Sequence, residues 1–249
     1  GAPAGINMNP RTVTLGQAGE IYVGGNFSAI NDNLNPPQEL IHELDPKVST
    51  QLNSIGPSGK LALDVKTAFL LKTGATGTGS WAYQWLADAV DPQKPMAKIN
   101  DVSVAPDGDL IVVGDFVGTL EFPADSGLSP LESVSELSTG NPFVMRLNPY
   151  GGYKWAHRLQ GTNHFQFMDV ETDTTGDFYV SGAFQGVGDN KVDFNPTPSN
   201  DLGHVQLPSH YAGNAIAING FVARYKPNGE LDRADYVDDS TTPADWDLI

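Results

Sequence analysis

One short pattern occurs three times in this chain, and it constrains the fold more than any other feature. Each copy has a turn that ends in glycine, an acidic residue, a run of apolar β-forming residues, a second glycine six positions after the first, and a phenylalanine two positions later. The copies span residues 16–27, 105–116 and 173–184. Self-similarity at long period is the signature of a repeat architecture. We therefore expect structurally equivalent units along the chain.

The remaining parts of each unit align on this pattern. Upstream lies a short β-like segment, which starts at Thr12, Asp101 and Asp169 in the three units. Downstream lie a third apolar run and then a fourth element; the third runs are residues 69–72, 143–146 and 221–224, and the fourth elements are residues 81–86, 153–159 and 231–237. Each unit is thus predicted to contain four short strands joined in order by turns.

Four strands connected in sequence form an antiparallel meander. The runs 111–113 and 178–180 are apolar without alternation, which is typical of a sheet covered on both faces. We therefore predict an all-β chain, a β-propeller made of four-stranded antiparallel meander blades, because radial repetition covers both faces of every blade. About three blades are present, as part of a larger ring or of one that another copy or chain completes. The predicted division is a lead-in at 1–11, a first blade with long loops at 12–100, a second at 101–168, a third at 169–245, and the start of a next blade at 246–249.

The repeat resembles the β-propeller repeat of bacterial surface and secreted proteins. The resemblance rests on residues 101–116 with 143–151, and on residues 169–184 with 221–229. The first unit departs from it, since Thr12 replaces the opening aspartate and residues 73–77 replace the Pro-Gly turn. The resemblance implies an extracellular or cell-surface protein with a binding or structural role, and it implies that the motif residues are architectural.

Composition agrees with such an environment and excludes several classes of function. The chain has 30 acidic and 14 basic residues, so it should repel nucleic acid and anionic membranes. It has no cysteine, which excludes disulfides, thiolate chemistry and cysteine metal sites. No apolar segment is long enough for membrane insertion. We expect a secreted, mature chain.

Loop lengths differ between the two ends of the predicted blades. The turns between strands one and two and between strands three and four are short. The connections between strands two and three are long, at residues 27–69, 116–143 and 184–221. These long connections and the links between blades should lie on the same side. Loops carried by a rigid scaffold often bind partners, although surface insertions are also tolerated without a function.

Two sets of side chains are candidates for ligand binding. Asp189, Asp193 and Asn195 place several oxygen atoms in one loop, as Ca²⁺ requires, although such residues also serve as turn formers. Trp81 and Trp246 are candidate contacts for a polysaccharide, whereas Trp85 and Trp155 should pack between blades because they recur in the fourth strand. Calcium is the only cofactor indicated.

No motif predicts catalysis, because the chain lacks the G-x-S-x-G and H-E-x-x-H patterns. We therefore expect a non-catalytic extracellular scaffold or interaction module rather than an enzyme, with other blades or protein subunits of a surface assembly as partners, and with binding through the long connections. The alternative is a polysaccharide lyase or hydrolase on a propeller scaffold.

Overall fold

The structure, a computed structural model, describes residues 6–29, 41–45, 48–53, 67–76, 79–85, 87–88, 96–133, 140–159, 165–186, 191–195, 206–208 and 217–237. Within these ranges the chain is all-β; it has no α-helix and one 3₁₀ turn, Ala124–Ser126. No helix in the described part is long and apolar enough to cross a membrane.

Strands follow one another along the chain with few other elements between them. Up to residue 88 they are β1 (Ile6–Leu15), β2 (Ile21–Ala29), β3 (Ile41–Asp45), β4 (Val48–Asn53), β5 (Thr67–Thr73), β6 (Gly79–Trp85) and β7 (Ala87–Asp88). The next group is β8 (Met96–Val104), β9 (Leu110–Val117), β10 (Thr119–Leu120), β11 (Leu131–Glu132), β12 (Asn141–Leu147) and β13 (Tyr153–Arg158). The last group is β14 (Gln166–Thr172), β15 (Phe178–Gly186), β16 (Lys191–Asp193), β17 (Gln206–Pro208), β18 (Ala217–Tyr225) and β19 (Leu231–Val237).

Three four-stranded antiparallel sheets contain the repeated units. Sheet 1 has the order β1-β2-β5-β6, sheet 2 has β8-β9-β12-β13, and sheet 3 has β14-β15-β18-β19. No sheet closes on itself. The prediction of an all-β chain with four-stranded antiparallel units is therefore confirmed.

The first glycine of each repeat forms the turn between the first two strands. Gly19, Gly108 and Gly176 have φ values of 83°, 86° and 89°, a conformation that glycine adopts without steric cost. In sheet 2 the Gly108 amide donates to the Ala105 carbonyl at 2.8 Å, and the Ala105 amide donates to Asp109 at 2.8 Å. The other two sheets repeat this pattern of bonds.

The second glycine of each repeat faces a β-bulge in the opening strand. The register shifts between Ile99 and Asp101, which leaves Asn100 as the extra residue, and the same shift occurs in β1 and β14. A Cβ on Gly114 would lie 2.1 Å from the Lys98 carbonyl oxygen and 2.6 Å from Phe143 Cζ. The glycine is thus required by close approach within its own sheet. The bulge also explains why each opening strand starts upstream of the repeat pattern, since pairing continues beyond the extra residue.

The acidic residue after the turn glycine pairs with the basic residue near the end of the third strand. Glu20 lies 3.4 Å from Lys72, and Asp109 lies 2.6 Å from Arg146. In sheet 3 the equivalent pair, at 2.6 Å, is formed by Asp177 and Arg224. These repeated charges therefore hold the turn onto the sheet.

The sheets pack against one another in series. Strand β8 of sheet 2 contacts β1, β2 and β5 of sheet 1, and β14 of sheet 3 contacts β8, β9 and β12 of sheet 2. Sheet 2 is covered on both sides, and every residue of β9 and β12 is buried. Two of the three apolar clusters of the described residues lie on either side of sheet 2, at its interfaces with sheets 1 and 3.

The long connections carry small ladders of their own. Strands β3 and β4, β10 and β11, and β16 and β17 pair within the first, second and third connection respectively. Strand β7, in the link from sheet 1 to sheet 2, pairs with β10. This pairing confirms that a long connection and an inter-sheet link lie on the same side.

Candidate functional site

Three carboxyl groups lie on or beside the opening strands of sheets 2 and 3, and two of them, Asp101 and Asp169, contact each other. Thr12 Oγ1 donates to Asp101 Oδ1 at 2.5 Å, and the Val170 amide donates to Asp101 Oδ2 at 2.9 Å. The Asp101 carboxyl is also hydrogen-bonded to Asp169, and this bond, together with partial burial and the charges of Asp101 and Glu171, raises the pKa of Asp169 to about 6. Asp101 therefore joins sheet 2 to both of its neighbours.

The third carboxyl group, Asp115, is fully buried beside the bulge of β8. Asn100 Nδ2 donates to Asp115 Oδ2 and to the Phe167 carbonyl, each at 2.6 Å. Lys98 Nζ lies 3.1 Å from Asp115 Oδ2. Burial raises the pKa of Asp115 to about 6, against the opposing effect of Lys98 and Asn100. Asp115 Oδ1 and Asn100 Oδ1 are buried without a hydrogen-bond partner.

This cluster is better suited to joining sheets than to catalysis. Glycoside hydrolysis needs two carboxyl groups about 5 to 9.5 Å apart, with the scissile bond between them. Asp101 and Asp169 are instead hydrogen-bonded to each other, so no sugar ring fits between them. Thr12, Asp101 and Asp169 occupy the same position of the repeat, and equivalent positions become neighbours when repeats stack, so this equivalence is a signal for the contact in the sequence.

A second polar site lies at the outer edge of sheet 2, beside the second long connection. It is a cavity of about 300 Å³ lined by Pro130, Leu131, Glu132, Ala156, His157 and Arg158. Arg158 Nη1 is buried without a hydrogen-bond partner, and burial lowers the pKa of Arg158 although Glu132 opposes the effect. Burial likewise lowers the pKa of His157, which favours its neutral form. An unpaired guanidinium N–H in a concave site is suited to bind a carboxylate.

The predicted calcium ligands are only partly described. Asp189 lies outside the described residues. The Asn195 amide donates to Asp193 Oδ1 at 2.9 Å, which is the Asx turn that the alternative interpretation anticipated. Groups of three or more His, Asp or Glu residues that could hold a metal are absent from the described part of the chain. The calcium site stays a prediction.

The tryptophans occupy different environments. Trp81 is half-buried and its ring centroid lies 5.2 Å from that of Tyr83, and Trp246 lies outside the described residues. Trp85 is buried and donates to the Tyr153 hydroxyl of sheet 2 at 2.8 Å, and Trp155 stacks on Phe178 of sheet 3. Packing of these two between sheets is therefore confirmed.

The strand register shows that the tryptophans of sheets 1 and 2 correspond differently from what the sequence predicted. Trp81 pairs with Lys72 and Trp155 pairs with Arg146. Trp81, rather than Trp85, is therefore the structural counterpart of Trp155. Its indole Nε1 is buried without a hydrogen-bond partner.

Comparison with known proteins gives no relative from which a function could be inferred. No model of a protein family matches the chain, and no curated protein matches it significantly.

Proposed function

We propose that the chain is a segment of a β-propeller that acts as a non-catalytic extracellular interaction scaffold and binds its partner through the side that carries the long connections. The sheets are its blades. The observation that supports the propeller is the recurrence of an inter-sheet contact: Lys72 Nζ of sheet 1 donates to the Pro149 carbonyl of sheet 2 at 3.0 Å, and Arg146 Nη1 of sheet 2 donates to the Pro227 carbonyl of sheet 3 at 2.6 Å.

The packing of sheet 1 on sheet 2 therefore resembles the packing of sheet 2 on sheet 3. Propeller blades are arranged around an axis by repeating one face-to-face packing, in which the opening strands of neighbouring blades lie next to each other. The charged groups of the repeat are occupied in these contacts, which supports a structural role for the motif.

The cavity beside Arg158 is the proposed binding site. It lies between the second long connection and the end of β13, and the unpaired Nη1 of Arg158, beside the Glu132 carboxylate, offers a donor for one carboxylate group of a ligand. Apolar contacts from Pro130, Leu131 and Ala156 would complement the charge. Uronic-acid polysaccharides and acidic side chains of a surface protein both present such a group.

The test is a binding and turnover assay with polygalacturonate, alginate and neutral dextran as probes. We expect the chain to bind an acidic polymer without releasing reducing ends or unsaturated products, and Arg158→Gln to weaken binding at least tenfold. Arg233→Gln, an exposed arginine on β19, is the matched control. Turnover of any polymer would support the alternative of a polysaccharide lyase or hydrolase, and equal binding by Arg158→Gln would exclude the cavity as the site.

A further inference from the structure

The outer side of sheet 1 carries exposed or half-buried apolar residues whose counterparts in the other sheets, apart from those of Leu15, are buried. We call this surface the head face, and it consists of Val13, Leu15, Ile21, Val23 and Leu71. Val13 is 68% exposed, whereas its counterparts Val102 and Val170 are 3% and 1% exposed. The counterparts of Ile21, Val23 and Leu71 are also buried, in sheet 2 as Leu110, Val112 and Met145 and in sheet 3 as Phe178, Val180 and Ala223.

The outer side of sheet 3 shows the complementary difference. We call it the tail face, and it consists of Tyr179, Ser181, Val222, Arg224 and Val237. Val237 is 60% exposed, whereas its counterparts Trp85 and Leu159 are buried. The residues in sheet 2 that correspond to Tyr179, Ser181 and Val222 are Ile111, Val113 and Val144, all fully buried against sheet 3.

Polar groups on the two faces complement one another in the same way. Within the chain, Arg146 of sheet 2 donates to the Pro227 carbonyl of sheet 3. At the end faces, Arg224 on the tail face is the counterpart of Arg146, and the carbonyl of Ala75, in the exposed turn of sheet 1, is the counterpart of the Pro227 carbonyl. Likewise, Asp101 of sheet 2 accepts from the Val170 amide of sheet 3. At the end faces, Asp169 of sheet 3 is the counterpart of Asp101, and the Val13 amide of sheet 1 is the counterpart of the Val170 amide. Arg224 Nε is buried and has no hydrogen-bond partner.

We infer that the head face of one copy of this chain binds the tail face of a second copy. The contact continues the interface that already joins sheet 1 to sheet 2 and sheet 2 to sheet 3, so it needs no new surface. Head-to-tail contacts generate closed rings when the rotation permits. Two copies of three sheets make a ring of six, within the roughly four to eight blades of known propellers.

The interface between copies is more polar than those within a chain. Arg233 and Asp235 of β19 stand at the positions that Trp155 and His157 occupy in β13, and their side chains are 46% and 54% exposed. The dimer therefore dissociates on dilution while each chain stays folded. The association uses the end faces and is independent of the cavity beside Arg158.

Engineered cysteines test the contact directly, because the chain has none of its own. At the interface between sheets 1 and 2, Val102 Cγ2 lies 3.4 Å from the position that a Cβ on Gly24 would take. At the end faces, Val13 is the counterpart of Val102 and Ser181 is the counterpart of Gly24. Facing cysteines at this separation are within reach of a disulfide. We expect Val13→Cys/Ser181→Cys to form, on oxidation, a covalent species of twice the 26.6 kDa chain mass, whereas either single variant stays monomeric on a non-reducing gel.

The control pair is Val13→Cys/Tyr150→Cys, since Tyr150 is exposed in a turn outside both faces. A monomeric double variant, equal dimer from the control pair, or a ladder of larger oligomers would overturn the two-copy ring. Light scattering adds a second readout: the unmodified chain should have twice the monomer mass, and Val13→Asp should raise the dissociation constant of the dimer at least tenfold without lowering the Tm of the dissociated chain. Val13→Asp should still bind an acidic polymer through Arg158, so a loss of dimerisation is distinguishable from a loss of polymer binding.

Discussion

Sheet 2 and the two end sheets have the same repeat but different surroundings. In sheet 2 both faces are covered, and β9 and β12 are buried along their whole length. In sheet 1 the counterparts of buried valines are exposed, as Val13 shows, and in sheet 3 Val237 replaces the buried Leu159 at the equivalent position. A repeat position therefore has a fixed role within its sheet, whereas its burial depends on whether a neighbouring sheet is present.

Contacts made inside a sheet should contribute equally to stability in sheet 2 and in the end sheets. Substitutions of the second glycine of the repeat test this, and they have the largest expected effect. A Cβ on Gly114 or on Gly182 would lie 2.1 Å from a carbonyl oxygen of its own sheet. We expect Gly114→Val and Gly182→Val each to cost about 3 kcal/mol or more, because the backbone cannot move away. Urea denaturation measures the loss, with Tyr150→Val as a surface control. Unequal losses would show that the close approach depends on neighbouring sheets.

The ion pairs at the ends of the third strands should distinguish the middle sheet from sheet 3. The Arg146 side chain is 7% exposed and contacts Asp109 and the carbonyl of Pro227, whereas the Arg224 side chain is 34% exposed. Arg146→Ala should cost roughly 3 kcal/mol because it leaves a buried charge with one partner fewer. Arg224→Ala should cost less than about 1 kcal/mol. Equal changes in the denaturation midpoint would contradict the comparison.

The opening strands offer the same contrast for an apolar side chain. Val102→Ala should cost about 2 kcal/mol, because it leaves a cavity at the interface between sheets 1 and 2. Val13→Ala should change the stability of the dissociated chain by less than about 0.5 kcal/mol, because Val13 has no covering sheet there. Thermal denaturation at low protein concentration measures both. A large loss for Val13→Ala would mean that the head face is covered within one chain.

The carboxyl cluster between the sheets should produce the smallest effect, a shift of stability with pH. The pKa values of Asp169 and Asp115 are raised from 3.8 to about 6, so between these values the folded chain binds more protons than the unfolded chain. Stability should therefore fall as pH rises through about 6. Glu20, Asp107 and Asp173 have lowered pKa values and act in the opposite sense below about pH 4.

We thus expect the highest Tm near pH 4, and a decrease of a few degrees between about pH 4 and pH 6, above which the Tm should level off. Asp169→Asn should reduce this dependence, because an amide donates to Asp101 at every pH. Glu121→Gln, at an exposed position outside both end faces, is the control. An unchanged pH profile in Asp169→Asn would exclude a shared proton between Asp101 and Asp169.

The local structure of each unit could be predicted from the sequence. Glycine spacing fixed the turns at Gly19, Gly108 and Gly176, and apolar runs without alternation predicted the covered strands, because both depend on neighbours in the chain. The repeat also predicted which side carries the long connections. The acid–base pairs within each sheet were readable in principle, since both partners recur with the motif.

The particular atoms that bond across sheets could not be predicted from the repeat. The bond from Thr12 to Asp101 spans 89 residues, and the cavity beside Arg158 combines a long connection with the end of β13. The register at the fourth strands likewise assigned Trp81, not Trp85, as the counterpart of Trp155. Such contacts depend on the rotation from one sheet to the next and on the bulges that set register, and neither is encoded in the spacing of residues along one strand.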